Sequence, residues 1–440
     1  MTNDASEEQE ESTEVVGIGR ERQSEVYLQG LRGHMPPVPA DLEELEAEAR
    51  EAMSEEGYAY IAGGAGTEST ILENREAFER WRIVPRMLRD VSERDPRVTL
   101  FGDTLPSPFL MAPIGVLETA HPAADLAVGR AAAQEGIPFV FSNQASEPME
   151  EVAEEMGDTP RWFQLYWSTS DELVESLVGR AEDAGCSAIV VTLDTTLLGW
   201  RTRDLDLAYL PFLRGMGIAQ YTSDPVFERL LGQADEDDDE LSEGGGVNLA
   251  ALKVLFDLVT SYPDGLIENL TSGKPLQAVE KFINIYSRPS LTWEDLSFLR
   301  ELTDLPILLK GILHPEDGKK AVEHGVDGVV VSNHGGRQVD GAIGAFDALP
   351  KVVEAVDDRI PVLFDSGIRT GADIFKALAL GAEAVLLGRP YCYGLAAGGQ
   401  RGVRTILRNY KADFDLTMGL AGCRSVDEIG RQNITRRIDQ

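Results

Sequence analysis

Short runs of apolar residues recur along the chain from residue 108 and alternate with amphipathic stretches about as long as a helix. Eight such runs lie at 109–116, 138–143, 161–167, 188–194, 306–312, 328–334, 361–367 and 384–390. Their apolarity is continuous rather than alternating, which is typical of parallel strands buried on both faces. The pattern therefore predicts eight parallel strands with helices between them.

Eight buried strands that alternate with helices form either a closed (β/α)8 barrel, the TIM barrel, or an open sheet. Polar or very small residues stand at the C-terminal end of every run, for example Ser142, Thr192 and Asp365. The active site of a TIM barrel is built from many strand ends at that face, whereas an open sheet concentrates its site at one switch point. The distribution of polar residues therefore favours the TIM barrel.

The remaining sequence divides around this barrel, which we place at residues 108–400. Residues 1–34 are acidic and poor in aromatic residues, so we expect a mobile arm there. Residues 35–107 are expected to form an N-terminal helical segment, and 401–440 C-terminal helices and a tail.

The fourth connection between strands is the only long one. An insertion at about 205–290 has an acidic, glycine-rich middle at 234–246, which is typical of a flexible linker. Its apolar flank from Tyr209 to Leu213 is expected to pack against another part of the protein, and a loop of this length is often a functional lid.

The composition limits the classes of partner. A formal charge of -35 excludes nucleic acid and anionic lipid as partners, and suits a halophilic protein whose surface charge is screened by salt. The cysteines Cys186, Cys392 and Cys423 form no C-x-x-C pair, which argues against a zinc site and favours a reduced compartment. We found neither a signal peptide nor a membrane-spanning run, so a cytoplasmic protein without bound metal is expected.

The segment from Ser332 to Arg337, Ser-Asn-His-Gly-Gly-Arg, carries the clearest chemical signal. His334 and Arg337 fit a catalytic base beside a guanidinium that binds a carboxylate, and the glycines allow the backbone to approach a ligand closely. Alternatively, His334 caps a strand and Arg337 makes a surface ion pair. Asp194, which ends the fourth strand, could stabilise a protonated His334 or cap the next segment.

Two further features indicate an anionic cofactor or substrate. Lys310 is a charge within an apolar strand, which suggests either a Schiff-base nucleophile or a counter-charge to a cofactor. Small residues and arginines follow the seventh and eighth strands, at 365–369 and 387–390, where many TIM barrels bind phosphate. An aldolase that uses Lys310 and a non-catalytic ligand-binding barrel are the rival hypotheses.

These motifs resemble those of the FMN-dependent L-2-hydroxy acid oxidases and dehydrogenases. The resemblance extends over about residues 59–425 and is most specific at 332–338, 375–382 and 163–166. The fourth connection, from Asp194 to Gly215, is most similar to that of lactate 2-monooxygenases. The resemblance implies bound FMN, a small L-2-hydroxy acid as substrate, oxygen as a second substrate, and a homotetramer or homo-octamer.

Matching motifs assign a role to each candidate residue. The resemblance implies that His334 is the base and Asp194 its partner, and that Arg337, Tyr60 and Arg201 hold the substrate carboxylate with Tyr166 near its hydroxyl. Residues expected to bind the flavin ring, ribityl chain or phosphate are Pro113, Ile114, Gly115, Ser142, Gln164, Thr192, Lys310, Ser332, Asp365, Gly367, Arg369, Gly388 and Arg389.

Departures from the family pattern concern the substrate and the fate of the product. Gln144 replaces the tryptophan of glycolate oxidases, which argues against glycolate as the substrate. Gly115 replaces the alanine of simple oxidases, so we expect extra room beside the flavin and oxidative decarboxylation of lactate to acetate. A peroxide-forming oxidase and a quinone- or cytochrome-coupled dehydrogenase remain alternatives.

Overall fold

The computed structural model describes residues 17–232, 256–260, 262–263 and 265–437. At its centre eight parallel strands close into a barrel in which each strand pairs with its neighbours in the sequence and the last pairs with the first. This confirms the predicted TIM barrel. The strands are β1 (Phe109–Met111), β2 (Phe139–Phe141), β3 (Arg161–Leu165), β4 (Ile189–Thr192), β5 (Ile307–Ile312), β6 (Gly328–Val331), β7 (Val362–Phe364) and β8 (Ala384–Leu387).

The inside of the barrel is a packed apolar core rather than a channel. Alternate strand residues such as Val140, Val190 and Leu308 point inward and are fully buried. A hairpin of strands Val98–Leu100 and Asp103–Leu105 closes the N-terminal end, where Phe101 packs edge-on against Trp162. Because this end is filled, the other end of the barrel is left for a ligand.

Helices follow each strand and cover the outer face of the barrel. Their apolar sides pack against the outward-facing strand residues in a second, larger core. In chain order these helices are Ala124–Glu135, Met149–Met156, Asp171–Asp183, Leu296–Leu302, Pro315–Glu323, Ala345–Val356, Gly371–Ala379 and Arg389–Ala421. The last is bent at Gly399, whose φ and ψ are not helical.

The segment before the barrel differs from our expectation of a mobile arm over residues 1–34. Residues 1–16 lie outside the described residues, but Ile18–Gly30 is a helix that packs against Arg389–Ala421. The close approach depends on Gly19, where a side chain would collide with Leu416, and on an ion pair between Glu25 and Arg408. The expected N-terminal helices follow at Leu42–Ala52, Glu55–Ala62 and Ser69–Glu79, before a strand at Trp81–Ile83 that pairs with Ile434–Arg436.

The insertion between β4 and β5 is helical where the structure describes it, and the predicted linker at 234–246 lies outside the described residues. Its elements are Thr202–Asp206, Pro211–Arg214, Ala219–Thr222, Pro225–Leu231, Leu266–Ser272 and Lys274–Ile285. Tyr209 and Phe212 are buried, and the Phe212 ring contacts those of Tyr60 and Phe282, which confirms that this flank packs against other parts of the protein. Among the described helices none is both long enough and apolar enough to cross a membrane.

Candidate active site

A cavity of about 570 Å³ lies at the C-terminal ends of the barrel strands. Fourteen of the candidate residues line it, namely Tyr60, Pro113, Ile114, Gly115, Tyr166, Arg201, Lys310, His334, Arg337, Asp365, Gly367, Arg369, Gly388 and Arg389. The other five, Ser142, Gln164, Thr192, Asp194 and Ser332, lie at the same strand ends without forming its wall. The structure therefore brings the predicted site residues together in one region.

His334 and Asp194 face each other across the barrel mouth. His334 Nδ1 lies 2.8 Å from Asp194 Oδ1, so Nε2 is left without this partner on a ring that lines the cavity. The backbone of His334 is left-handed, with φ of 57°, a conformation that non-glycine residues adopt rarely and that is frequent at functional sites. Gly311, with φ of 107°, has no side chain to obstruct Asp194. The backbone conformations at His334 and Gly311 therefore allow the close approach of His334 and Asp194.

Burial lowers the pKa of His334 below its ordinary value of 6.5, and the Lys310 cation lowers it further, while Asp194 acts in the opposite direction. Burial also disfavours ionised Asp194, but its interaction with His334, which includes a hydrogen bond, and the charge of Lys310 outweigh the burial and lower the pKa of that carboxyl. Near pH 7 the pair is thus a neutral imidazole and a carboxylate, which is the state that a general base requires.

Lys310 forms a buried ion pair. Its Nζ lies 3.2 Å from Asp365 Oδ2 and donates a 3.0 Å hydrogen bond to Ser332 Oγ. Although burial disfavours the charge, the carboxylates of Asp365 and Asp194 raise the pKa of Lys310 above its ordinary value. A Schiff-base nucleophile must be a neutral amine, so these partners argue against the aldolase hypothesis and for a fixed positive charge.

Two arginines and a tyrosine meet at one side of the cavity. The guanidinium of Arg337 lies 5.0 Å from the centre of the Tyr60 ring and that of Arg201 5.9 Å from it. Arg337 donates to the backbone oxygens of Tyr60 and Gly63, the latter at 3.0 Å. Burial and, to a smaller extent, the neighbouring Arg201 lower the pKa of Arg337, because the charged guanidinium is removed from water and lies close to a second cation, which adds repulsion. An anionic ligand group here would relieve this repulsion.

A second pair of arginines, Arg369 and Arg389, lies beyond the ends of β7 and β8. Burial lowers the pKa of Arg389, and the charge of Arg369 adds to the effect. Arg389 also donates to the backbone oxygens of Ile61, Gly63 and Gly335, at 3.1, 3.0 and 2.9 Å, which the sequence did not predict. The cavity is therefore lined by two pairs of arginines, Arg337 with Arg201 and Arg389 with Arg369, which could hold one carboxylate and one phosphate.

Polar atoms at other strand ends on the same face of the barrel fit a flavin ring. Gln164 Nε2, Thr192 Oγ1 and Asn143 Nδ2 are buried, and none has a hydrogen-bond partner among the described residues. Such atoms are costly unless a bound group satisfies them. They end three consecutive strands, β2 to β4, so a planar polar ligand lying across these ends would supply partners.

The role expected for Gly115 is changed by its surroundings. Gly115 lines the cavity, but a Cβ at this position would lie 3.0 Å from both the Cβ and the backbone oxygen of Gln144. An alanine would therefore press on Gln144, so the missing side chain serves close packing of two loops rather than only leaving open space.

The cavity also contains residues that the sequence did not indicate. Phe282 and Tyr286, from the returning part of the insertion, line it and stack with ring centres 5.1 Å apart. Ser366 Oγ donates to Asp365 and accepts hydrogen bonds from the backbone nitrogens of Asn333 and Gly335. The position of Ser366 beside Asp365 in the sequence could have indicated that it belongs to the site. Nothing in the sequence related Phe282 to the strand ends.

Comparison with known proteins identifies relatives over nearly the whole chain. Residues 49–436 match the family model of FMN-dependent dehydrogenases. An L-lactate oxidase of Lysinibacillus sphaericus is 42% identical over 91% of this chain and 93% of its own length. An FMN-dependent alpha-hydroxy acid dehydrogenase of Penicillium citrinum is 41% identical over 94% and 95%, respectively. A crystal structure of mandelate oxidase with (S)-4-hydroxymandelic acid is 36% identical, covers 91% of this chain and 100% of its own, and has a TM-score of 0.74.

The matches and the geometry lead to the same class of protein. The family match covers most of the chain, and the cavity has the charges and unpartnered polar atoms that a flavin nucleotide and a carboxylate require. This chain belongs to the FMN-dependent dehydrogenase family and is an enzyme that uses FMN to oxidise 2-hydroxy acids.

Proposed function

We propose that the enzyme oxidises a short aliphatic L-2-hydroxy acid, with L-lactate as its principal substrate, and decarboxylates the resulting keto acid with oxygen. The observation that carries the first part is that His334, which is paired with Asp194, lines the same cavity as Arg337 and Arg201. A 2-hydroxy acid has its hydroxyl on the carbon next to its carboxylate, so it can engage a base and a guanidinium together.

Substrate binding is assigned to the pair of arginines beside Tyr60. The planar guanidiniums of Arg337 and Arg201 can hold the carboxylate, and the buried Tyr60 hydroxyl can add a third donor. Burial raises the pKa of Tyr166, so this phenol stays protonated and can donate to the substrate oxygen on C2. These contacts would orient the C2–H bond away from the arginines.

The proton of the C2 hydroxyl is assigned to His334. With Nδ1 directed at Asp194, the lone pair of Nε2 can accept the proton, and the Asp194 carboxylate stabilises the imidazolium that forms. FMN supplies the two-electron acceptor when it is bound. Lys310, held positive by Asp365, would stabilise negative charge on the reduced cofactor.

Decarboxylation is proposed because the insertion covers the cavity. Leu210 and Phe212 from its first part and Phe282 and Tyr286 from its last part line the wall. A product held under this cover would remain when oxygen arrives. Pyruvate and hydrogen peroxide then give acetate, carbon dioxide and water, so lactate and oxygen are consumed one to one. A second candidate, release of pyruvate and peroxide, is favoured by the relative named as an L-lactate oxidase.

The reaction assignment is tested by reducing the enzyme without oxygen and then admitting oxygen. We expect L-lactate to bleach the flavin absorbance faster than glycolate or L-mandelate, and acetate with carbon dioxide to form when air enters. Bleaching by mandelate alone would contradict the substrate assignment. Stoichiometric pyruvate and peroxide would replace decarboxylation by the second candidate, without affecting the base or the carboxylate site.

The dependence of kcat/KM on pH should report the pKa of His334. The base is active when neutral, and its pKa lies below 6.5 chiefly because the ring is buried. Activity should therefore be retained above pH 6.5 and lost as the pH falls through the lowered pKa. Asp194→Asn removes the charge that opposes this shift, so its acidic limb should move to still lower pH while the rate falls. An acidic limb well above pH 6.5 would contradict the assignment.

A further inference from the structure

One hydrogen bond runs from the insertion into the layer of strand ends beneath the cavity. Tyr221, in the helix Ala219–Thr222, is fully buried and donates a 2.8 Å hydrogen bond to Asn143 Oδ1. Asn143 follows β2 and is also fully buried. Neither residue lines the cavity, so the bond lies behind the cavity wall and connects the insertion to the end of β2.

Asn143 in turn contacts two of the candidate site residues. Its Oδ1 accepts a 3.3 Å hydrogen bond from the backbone nitrogen of Tyr166, and its own backbone nitrogen donates to Gln164 Oε1 at 3.2 Å. With Oδ1 of Asn143 and Oε1 of Gln164 occupied in this way, the amide nitrogens of both side chains point elsewhere. These nitrogens are among the buried atoms that have no partner in the described part of the chain.

The Tyr221 ring is fixed by the aromatic residues of the insertion. Its centre lies 4.7 Å from that of Phe282 and 5.5 Å from that of Phe227, and both contacts are edge-to-face. Phe282 stacks on Tyr286, and both of these rings line the cavity. The position of the cover over the cavity is therefore coupled to the position of the Tyr221 hydroxyl.

We infer that Tyr221 and Asn143 are positioning residues, through which the insertion sets the orientation of Tyr166 and Gln164 at the strand ends. The inference rests on the proposed function, in which Tyr166 contacts the substrate and Gln164 the flavin. Donation from Tyr221 selects the orientation of the Asn143 amide in which oxygen, not nitrogen, faces the Tyr166 backbone N–H. Without that donor the amide is free to turn, and a turned amide would present N–H to N–H.

The test compares Tyr221→Phe with Tyr262→Phe in the FMN-bound enzyme. Both variants remove one hydroxyl from a buried ring of the insertion, but Tyr262 donates to Glu228, away from the strand ends. We expect the rate of flavin reduction by substrate to fall about three- to tenfold in Tyr221→Phe, the range given by the loss of one buried hydrogen bond, and KM to change less. Tyr262→Phe should lower the melting temperature at most.

Hydrogen–deuterium exchange distinguishes failure of this inference from failure of the proposed function, because it needs no substrate. The peptide 161–167, which contains the Tyr166 amide, should exchange faster in Tyr221→Phe than in Tyr262→Phe. Equal exchange, together with unchanged flavin absorption bands in both variants, would overturn the inference. The same conclusion would follow if Tyr221→Phe and Asn143→Ala had additive effects on reduction, because residues that act through one bond are not additive. If Asn143→Ala does not retain FMN, the exchange comparison decides alone.

Discussion

Replacing His334 by alanine should abolish reduction of the flavin by the 2-hydroxy acid while leaving FMN bound. The rate of anaerobic reduction is expected to fall by about 10²–10⁴-fold, which is the usual contribution of a positioned general base. The loss should appear in kcat and in kcat/KM alike, because the imidazole accepts its proton in the transition state. Cofactor binding should survive, since the candidate phosphate contacts Arg369 and Arg389 follow other strands.

His324→Ala is the matched control for this variant. His324 ends the helix Pro315–Glu323 and lies against the Trp293 ring, with centres 5.4 Å apart, and it does not line the cavity. Its removal should leave the reduction rate unchanged. Stopped-flow absorbance of each FMN-bound variant mixed with L-lactate measures both rates. Near-normal reduction in His334→Ala would refute the role of this residue as the base.

The left-handed backbone of His334 affects how the variant should be interpreted. Alanine at a φ of 57° is strained, as histidine is, so the substitution itself adds little new backbone strain. The neighbouring Ser332 Oγ, which accepts from the His334 backbone nitrogen and from Lys310, is not altered. A large loss of rate with an unchanged flavin spectrum would therefore report the missing imidazole rather than a rearranged strand end.

The barrel could be predicted from sequence because continuous burial of parallel strands leaves a simple pattern. All eight observed strands fall within the apolar runs, and polar strand ends such as Lys310 and Asp365 do line the cavity. Most strands are shorter than the runs because the last residues of those runs lie in the loops at the C-terminal face of the barrel, outside the sheet. The pattern thus marked both the fold and the face that holds the site.

The helix Ile18–Gly30 was missed because its stability comes from contacts far away in the sequence. Its residues are mostly polar, and composition alone predicts a mobile segment. It is held instead by Gly19, which donates to Asp415, and by Arg22, which donates to Asn409. These contacts depend on the course of the C-terminal helix, which local composition does not reveal.

Arg337 and Arg389 also donate hydrogen bonds to backbone oxygens, and this second role could not be predicted from the sequence for a related reason. Residue type indicated that Arg337 and Arg389 bind anions, which stays a prediction, and burial lowers the pKa of each. The structure adds that both donate to the backbone oxygen of Gly63, and so tie the segment that contains Tyr60 to the strand ends. Such bonds to backbone oxygens do not depend on residue type at the acceptor and leave no trace in the sequence.

This double role leads to the second large effect, which we expect for Arg337→Lys. Lysine keeps the charge but cannot form a two-pronged contact with a carboxylate, and its single amine cannot also reach the oxygens of both Tyr60 and Gly63. KM for L-lactate should rise by about 10–100-fold, in line with the 1.5–3 kcal/mol typical of a hydrogen bond to a charged group. The change in kcat should be smaller, because His334 and Asp194 remain paired.

The control for Arg337→Lys is Arg161→Lys, which removes the same kind of contact at the opposite end of the barrel. Arg161 begins β3 and donates to the backbone oxygens of Ala153 and Gly157, both at 2.7 Å, away from the cavity. We expect it to lower thermal stability without changing KM, which steady-state rates over a range of lactate concentrations will measure.

A neutral competitor such as lactamide should distinguish a loss of the bond to the substrate carboxylate from a displacement of Tyr60. If Arg337 acts through its bond to the carboxylate, Arg337→Lys should weaken lactate far more than lactamide. Equal weakening of both would mean that the substitution acts only by releasing Tyr60, and the carboxylate would then be assigned to Arg201.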